Sequence, residues 1–534
     1  MIPHTYRRDG VIITVLALIV GTVMAILLKH PGYTDAYYYF NAGQRLAQGK
    51  GLTDAALWTY IGAPTSLPAP SHLYWMPMAS LVAAVGLFIG DATFDAAQLL
   101  FVPLYAGIVL IGFTLGALIG KTRRTAWIAG LLTMFSGFYM AYWTTTSTFA
   151  PYGFAGALSL LAMGLGRRSG GESGSWRWFA LSGAMAAFAH LTRADGVLLL
   201  IVLIIVAVWP RFKQIGIDSS PASPSPNSER GLGGEVKRTL RCAAVGIIAY
   251  LLVMTPWFVR NLNTVGAILP PGGFQTAWMR SYDEIANYPP GSSLADFIAW
   301  GPENILNSRW EALKVNVGRF VGEQGQILLT PFMLLALWKR RRDPLLSGLW
   351  LYALGLHLAM TFVFAFPGYR GGLFHSASAL IPFWAALGIV GLDDVLAWIA
   401  PRRRWRLPQA RLFFGAALLV WAILFSINIF LRTVNSFNSA GGNFVQIASH
   451  LPADSVVMIN DPSAFYYFTG LSGVVVPNAP PDVIPELAKR YGVTDIVLDN
   501  NVTLPMRPLY EGTISPPFLE PLYHDDFIRI YRVK

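Results

Sequence analysis

One carboxylate stands where chemistry on a membrane-bound substrate would need it. Asp35 lies in Lys29-His-Pro-Gly-Tyr-Thr-Asp35-Ala-Tyr-Tyr-Tyr39, directly after an uncharged apolar run over residues 11–28. A run of about 18 apolar residues crosses a bilayer as a helix, so Asp35 is expected just past the exit of a span. Aromatic side chains favour the same boundary. A carboxylate there can meet a substrate that is half lipid and half water-soluble. Asp also caps helices, and Thr34-Asp35 before Ala36-Tyr37-Tyr38 reads equally as a helix start. The neighbours of Asp35 favour chemistry. Tyr37, Tyr38, Tyr39 and Phe40 open a short amphipathic segment that ends at Gly49 and Gly51, suited to lying along the interface.

Further polar residues sit at comparable positions. His72 and Trp75 lie in Pro68-Ala-Pro-Ser-His72-Leu-Tyr-Trp75-Met-Pro77. A histidine beside aromatics between prolines suits a rigid loop that shapes a sugar site, and suits loop packing as well. Arg193 and Asp195 occupy Leu191-Thr-Arg-Ala-Asp-Gly196, at the tip of an expected helical hairpin. They read as an ion pair closing a turn, or as an arginine facing a phosphate, whose oxygens its planar fork matches. Arg260 follows Trp257-Phe-Val at the end of another span. Arg370, next to Gly371 and Gly372, precedes His375; glycines let a ligand approach the backbone closely. Arg193, Arg260 and Arg370 are therefore the candidates for a lipid phosphate, and Tyr38, His72, Trp75 and His375 for the rest of the substrate. Asp54, Asp91 and Asp95 are further outer carboxylates, Asp95 reading best as the N-cap of the next span.

The composition fixes the environment of these residues. Of 534 residues, 54% are hydrophobic and 13% charged, with mean hydropathy +0.47. Soluble domains carry about 25% charged residues, so lipid must cover much of this chain. The net charge of +11 then reads as basic bias of cytoplasmic loops, and no nucleic-acid motif is present. The single cysteine, Cys242, has no partner for a disulfide or a metal site. Phosphate-binding Gly-Lys-Thr/Ser loops, His-Glu-x-x-His, Gly-x-Ser-x-Gly and Cys-x-x-Cys are absent, which weighs against ATP-driven transport, zinc proteolysis and serine lipase chemistry. The N-terminal run follows Arg7-Arg8 without a small-x-small cleavage site and reads as a retained signal-anchor.

The expected architecture is a polytopic α-helical membrane protein with about eleven spans, near 11–28, 97–119, 126–142, 149–166, 177–191, 195–209, 242–259, 324–338, 345–365, 376–399 and 412–431. With these spans the basic clusters at Arg7-Arg8, Lys121–Arg124, Arg167-Arg168, 211–241, Lys339–Arg342 and Arg402–Arg406 all fall on one face. By the positive-inside rule that face is the cytoplasm, with the N-terminus inside. The stretch 77–90 is short for a span and reads as a re-entrant or interfacial helix. Residues 1–439 form the transmembrane part, with outer loops at 29–96 and 260–323 and a Ser/Pro/Gly-rich disordered cytoplasmic linker within 210–240. Residues 440–534 change character. Short apolar runs at 456–460, 474–477 and 495–499 read as strands, 462–469 and 481–491 as helices, and 527–533 alternates like a last strand. This is a small extracytoplasmic α/β domain, without a catalytic constellation of its own.

In order and sidedness, the motifs at Tyr33–Tyr39, His72–Pro77, Leu191–Gly196 and Arg370–Pro382 resemble those of the polytopic lipid-linked-sugar glycosyltransferases, the GT-C superfamily. The nearer branch is the protein O-mannosyltransferase and aminoarabinose-transferase group. The similarity is strongest over the first 210 residues. It implies transfer of a sugar from a polyprenyl-phosphate donor in the bilayer to an acceptor protein, lipid or glycan on the outer face of the plasma membrane. In that family an acid of the first outer loop is the catalytic base or positioning group, a role that maps by position to Asp35. A phosphate leaving group needs cationic stabilisation and no acid of the kind a glycosidase uses. One carboxylate with Arg193, Arg260 or Arg370 is the expected set. No cofactor is implied with certainty, and a divalent metal stays open. Two features depart from the family pattern. Asp35 is flanked by Thr34 and Ala36 in place of a second acid, and Trp143-Thr-Thr-Thr-Ser-Thr-Phe149 carries no carboxylate. The alternative is a lipid-linked glycan flippase or other transporter. Transporters place functional charges at mid-membrane in broken helices, whereas here they cluster at span ends. A third reading is an envelope assembly protein that works through its C-terminal domain.

Overall fold

The computed structural model describes residues 6–169, 175–208 and 228–534. The apolar run after Arg7 forms helix α1 (Arg7–Leu27). Ile13, Ala17, Gly21 and Met24 are buried, while Val11, Val15, Ile19 and Val23 are exposed. The buried positions repeat every three or four residues along one helical face, and the bare apolar face opposite is one that lipid covers. A Cβ on Gly21 would lie 3.0 Å from the Tyr105 ring, which is how closely α1 seats on the helix Phe101–Gly120.

Among the described residues seven helices are long and apolar enough to cross a membrane: Arg7–Leu27, Phe94–Gly120, Phe149–Arg168, Thr239–Val265, Pro344–Val363, Ala365–Arg402 and Leu407–Ala448. The protein is thus mostly helical and multi-pass. The other expected spans take shorter or less apolar form, as Arg123–Met134, Ser175–Thr192, Val197–Val208 and Thr330–Lys339. The first of these has 12 residues, about 18 Å of α-helix at 1.5 Å per residue, and a 3-10 segment Gly137–Tyr142 continues it. The stretch after Pro77 is the 12-residue helix α3 (Met78–Ile89), also short of a span. The expected linker lies mostly outside the described residues. Its last part does not behave as linker, since the helix Ser228–Val265 already begins there.

Basic residues of several clusters meet at one end of the molecule, while most of the 211–241 cluster lies outside the described residues. Arg123 pairs with Asp9 at 2.6 Å, Arg168 with Asp343 at 2.6 Å and Arg340 with Asp394 at 2.7 Å. Asp393 joins Arg124 to Arg411. Clusters far apart in sequence therefore share one face, as their charge pattern implies.

At the other end lies helix α2 (Thr34–Ala47), followed by short strands β1 (Thr53–Asp54), β2 (Ala56–Leu57) and β3 (Ala69–Pro70). The C-terminal part adds β4 (Val457–Met458), β5 (Gly473–Val474), β6 (Asp495–Asp499), β7 (Leu519–His524) and β8 (Ile528–Val533). The sheet order is β2-β5-β4-β6-β8-β7. Strand β2 pairs parallel with β5, Leu57 opposite Val474. The α/β unit therefore does not begin at residue 440: the loop over residues 29–96 supplies its edge strand. Val474, Ile484, Leu487, Ile496 and Leu498 of that unit share a buried core with Leu57, Tyr60 and Ile61 of the loop.

Candidate active site

Asp35 sits in the first turn of α2, after an N-cap at Tyr33 that makes no side-chain capping bond. Its charge faces the positive end of the helix dipole, but it is not the cap. The cap of the helix at Phe94 is likewise Thr93, which accepts from Ala96 N, and not Asp95. The start of α2 is held from below by the hydroxyl run: Thr145 donates to Pro31 O at 2.7 Å and Thr146 to Ala36 O at 2.9 Å.

Three elements converge on Asp35. Nε2 of His375 lies 3.8 Å from its Oδ2, and the Asp35 side chain is 24% exposed. Thr148 Oγ1 stands 2.7 Å from Nδ1 of that imidazole, and Phe149 stacks on the ring at 4.1 Å. Arg193 marks the junction of two helices, where a Cβ on Gly196 would come within 2.4 Å of His190 N. Its Nε donates to Ser376 Oγ at 2.8 Å and to Asp195 Oδ1 at 3.1 Å. Ion pair and phosphate-facing arginine are thus compatible readings, because the recorded bonds are made by Nε. Burial pushes Asp35 up to about 7; the Arg193 charge opposes that shift and Asp461 adds to it. Burial and, among further causes, the Asp35 charge raise the phenols of Tyr33, Tyr39, Tyr74 and Tyr282. The Tyr33 ring stands 6.3 Å from that of His375. Arg370 stacks over Tyr282 at 5.0 Å, from a π-helical turn, Gly368–Gly372, a coil frequent at functional sites.

Tyr38, His72, Trp75 and Arg260 form a second knot, which adjoins the first where Trp75 packs against Tyr39 at 5.8 Å and Tyr74 at 6.1 Å. Tyr38 OH donates to Asp54 Oδ2 at 3.0 Å and accepts from His72 N at 2.7 Å. The His72 ring is fully buried, with Ser71 Oγ 2.7 Å from Nδ1 and Ser80 Oγ 3.0 Å from Nε2. Burial and then the nearby Arg260 charge hold its pKa down to about 3. Arg260 donates to Ser71 O at 2.7 Å and stacks on Trp257 at 4.9 Å. Trp75 stacks on Trp58 at 3.7 Å. These contacts tie the loop to itself rather than to Asp35. Asp54 is also pushed up to about 7, chiefly by burial, but it faces Tyr38. Asp91 accepts from Thr93 Oγ1 at 2.5 Å.

Tyr74, Tyr282, Thr148 and Ser376 complete the Asp35 site without having been singled out in the sequence. The signal for Thr148 was present in the run of five hydroxyl residues between Trp143 and Phe149. Among the described residues no three His, Cys, Asp or Glu side chains converge as a metal site.

No protein-family model and no curated protein matches the chain in sequence. In fold it is similar to ArnT from Cupriavidus metallidurans in the apo state, with TM-score 0.57 over 98% of this chain and 97% of that one, at 14% identity. The ArnT structure bound to undecaprenyl phosphate gives TM-score 0.55 at 15% identity, with the same coverage of 98% and 97%. An oligosaccharyltransferase of Archaeoglobus fulgidus in complex with Zn and sulfate is similar over 91% of this chain and 68% of that one, at 12% identity and TM-score 0.53. The chain thus shares its fold with these proteins, over nearly the whole length of ArnT.

Proposed function

We propose that this chain is an integral-membrane glycosyltransferase that moves a sugar from a polyprenyl-phosphate donor to an acceptor hydroxyl on the extracytoplasmic face. The observation that carries this reading is the approach of His375 to Asp35 at the end of the first span, with Arg193 bonded to Ser376 beside that histidine, from three distant parts of the sequence. Its support is the whole-length fold shared with a protein that binds undecaprenyl phosphate. The acceptor oxygen attacks the anomeric carbon and its proton passes to the Asp35 carboxylate. The bond from that carbon to the phosphate oxygen breaks, and the electron pair leaves on polyprenyl phosphate. Arg193, and Arg370 beyond Tyr282, stabilise the leaving charge, which a water-poor site makes effective. A base with a pKa near 7 suits this role at neutral pH.

The same reading places the joined basic clusters in the cytoplasm and α2 with the C-terminal sheet outside. The shorter helices count as crossings too, for about eleven in all, in the plasma membrane. The test is reconstitution with a panel of radiolabelled polyprenyl-phosphate sugars, comparing wild type with Asp35→Asn. Release of polyprenyl phosphate that depends on Asp35 is expected. Lipid-linked sugar crossing the bilayer intact, with no release, would make the protein a transporter.

A further inference from the structure

The C-terminal unit touches α2 just where Asp35 is set. Asp461 caps the helix Pro462–Thr469, its Oδ1 accepting from Ala464 N at 3.0 Å. Its other oxygen accepts from Thr34 Oγ1 at 2.7 Å, and Thr34 is the residue before Asp35. Farther along α2, Asn41 Nδ2 donates to Ser463 O at 2.8 Å. Strand β2 binds the same loop to the sheet, Leu57 O accepting from Val475 N at 2.7 Å. Capping needs one oxygen and no charge, and Asn or Ser serves as well as Asp. Among the described residues no cation pairs with Asp461; its recorded partners are a hydroxyl and backbone amides. An unpaired, largely buried carboxylate is a costly cap, and its charge is felt by Asp35 and Tyr37.

We propose that Asp461 is a positioning residue of the Asp35 site: it fixes the start of α2 through Thr34 and sets an unpaired negative charge behind Asp35. The proposal rests on the transferase reading above. It makes the C-terminal unit part of the active centre, where the membrane helices supply Arg193 and His375, the first outer loop Tyr33, Tyr39 and Tyr74, and the second outer loop Tyr282. Asp195 is a second carboxylate at this site, but it is paired with Arg193 at 3.1 Å; Asp461 is the one with no cation among the described residues. A like charge favours the protonated form of Asp35, so the acceptor's proton is taken by a stronger base.

The test uses the full chain in liposomes. Asp461→Asn keeps a cap and a partner for Thr34 but removes the charge. The acid limb of polyprenyl-phosphate release should move to lower pH by about one unit, with kcat reduced and KM for the donor unchanged. Thr34→Val keeps the charge and loses the tie, so kcat should fall without a shift of the limb, and Thr34→Ser should restore it. Independently of activity, the effect of Asp35→Asn on the unfolding temperature at pH 8 should be smaller in the Asp461→Asn background. An unmoved acid limb in an active Asp461→Asn protein, or equal effects of Asp35→Asn in both backgrounds, overturns the proposal. Thermal coupling with no release by wild type would instead sink the transferase reading and leave the clamp standing.

Discussion

Nε2 of His375 stands 3.8 Å from Oδ2 of Asp35 while Thr148 holds the other ring nitrogen at 2.7 Å. The threonine hydroxyl can donate to Nδ1, which puts the ring proton on Nε2 toward a carboxylate. It can also accept from Nδ1, which leaves a lone pair toward a protonated acid. At 3.8 Å His375 is not hydrogen-bonded to Asp35, so Thr148 leaves either tautomer open to it as Asp35 gains or loses its proton. A proton arriving on Asp35 meets a ring able to reorganise around it, and Phe149 stacked at 4.1 Å keeps that ring in plane.

Asp35→Asn should lower sugar transfer by about 100- to 10,000-fold, the usual contribution of a general base, in the release assay. The same substitution should stabilise the protein at alkaline pH. The folded pKa, about 7, lies well above the ordinary range of an aspartate. Stability tied to the bound proton is complete below the unfolded pKa and is lost as pH rises through the folded one. Wild type should therefore unfold at a lower temperature than Asp35→Asn at pH 8, and the gap should close toward pH 4. An equal gap at both pH values would show that Asp35 does not titrate near neutrality.

Arg193→Gln should move the acid limb of activity upward. Its cation opposes the rise in the Asp35 pKa that burial causes, so its loss raises the pKa further and the base is formed only at higher pH. The direction is opposite to that expected for Asp461→Asn. KM for the polyprenyl-phosphate donor should rise as well, because the guanidinium is assigned to the phosphate. A variant with a normal limb and a normal KM would remove Arg193 from the site.

His72→Ala should act on stability. Ser71 and Ser80 would each lose the ring nitrogen they face in a fully buried place, and buried groups left unpaired cost about 1–3 kcal/mol. The unfolding temperature should drop, while the pH profile of the protein that remains folded should keep its shape, since a histidine held down to about 3 does not titrate near neutrality. A moved profile would place His72 among the groups that set Asp35.

Much of this was legible in the chain. Asp35 follows an uncharged run whose only stable form in lipid is a helix, so its place at the exit of α1 follows from hydropathy. The shared face of Arg124, Arg168 and Arg340 follows from charge asymmetry, and the strands at 495–499 and 528–533 from their pattern. Other features depend on tertiary contact. Strand β2 has two residues and pairs with β5, and no local periodicity marks so short a partner. Tyr282 opens a 3-10 helix of only five residues, Tyr282–Ala286, too short for spacing to show which way its side chain points. His72 and Arg260 have the residue types of a binding site, but their donors and acceptors are taken by Ser71, Ser80 and backbone carbonyls. Asp461 reads in sequence only as the start of a short helix, and its relation to Thr34 appears when the sheet is folded against α2.

Asp393→Ala should test how the opposite end is held. One Asp393 oxygen receives Arg124, the other faces Arg411 at 3.8 Å, and the Asp393 side chain is 14% exposed. Removing one partner of a largely buried pair typically costs about 3–5 kcal/mol, because the remaining charge stays desolvated. Arg124 would keep its bond to Arg411 O at 3.1 Å, which holds the loss toward the lower bound. The unfolding temperature in detergent should fall clearly, and polyprenyl-phosphate release per folded molecule should be unchanged, since the pair lies at the end of the bundle away from Asp35. A double substitution, Asp393→Ala with Arg124→Ala, should recover part of the lost stability by removing the stranded cation. If the double variant is no more stable than the single one, the cost lies in packing and not in an unpaired charge.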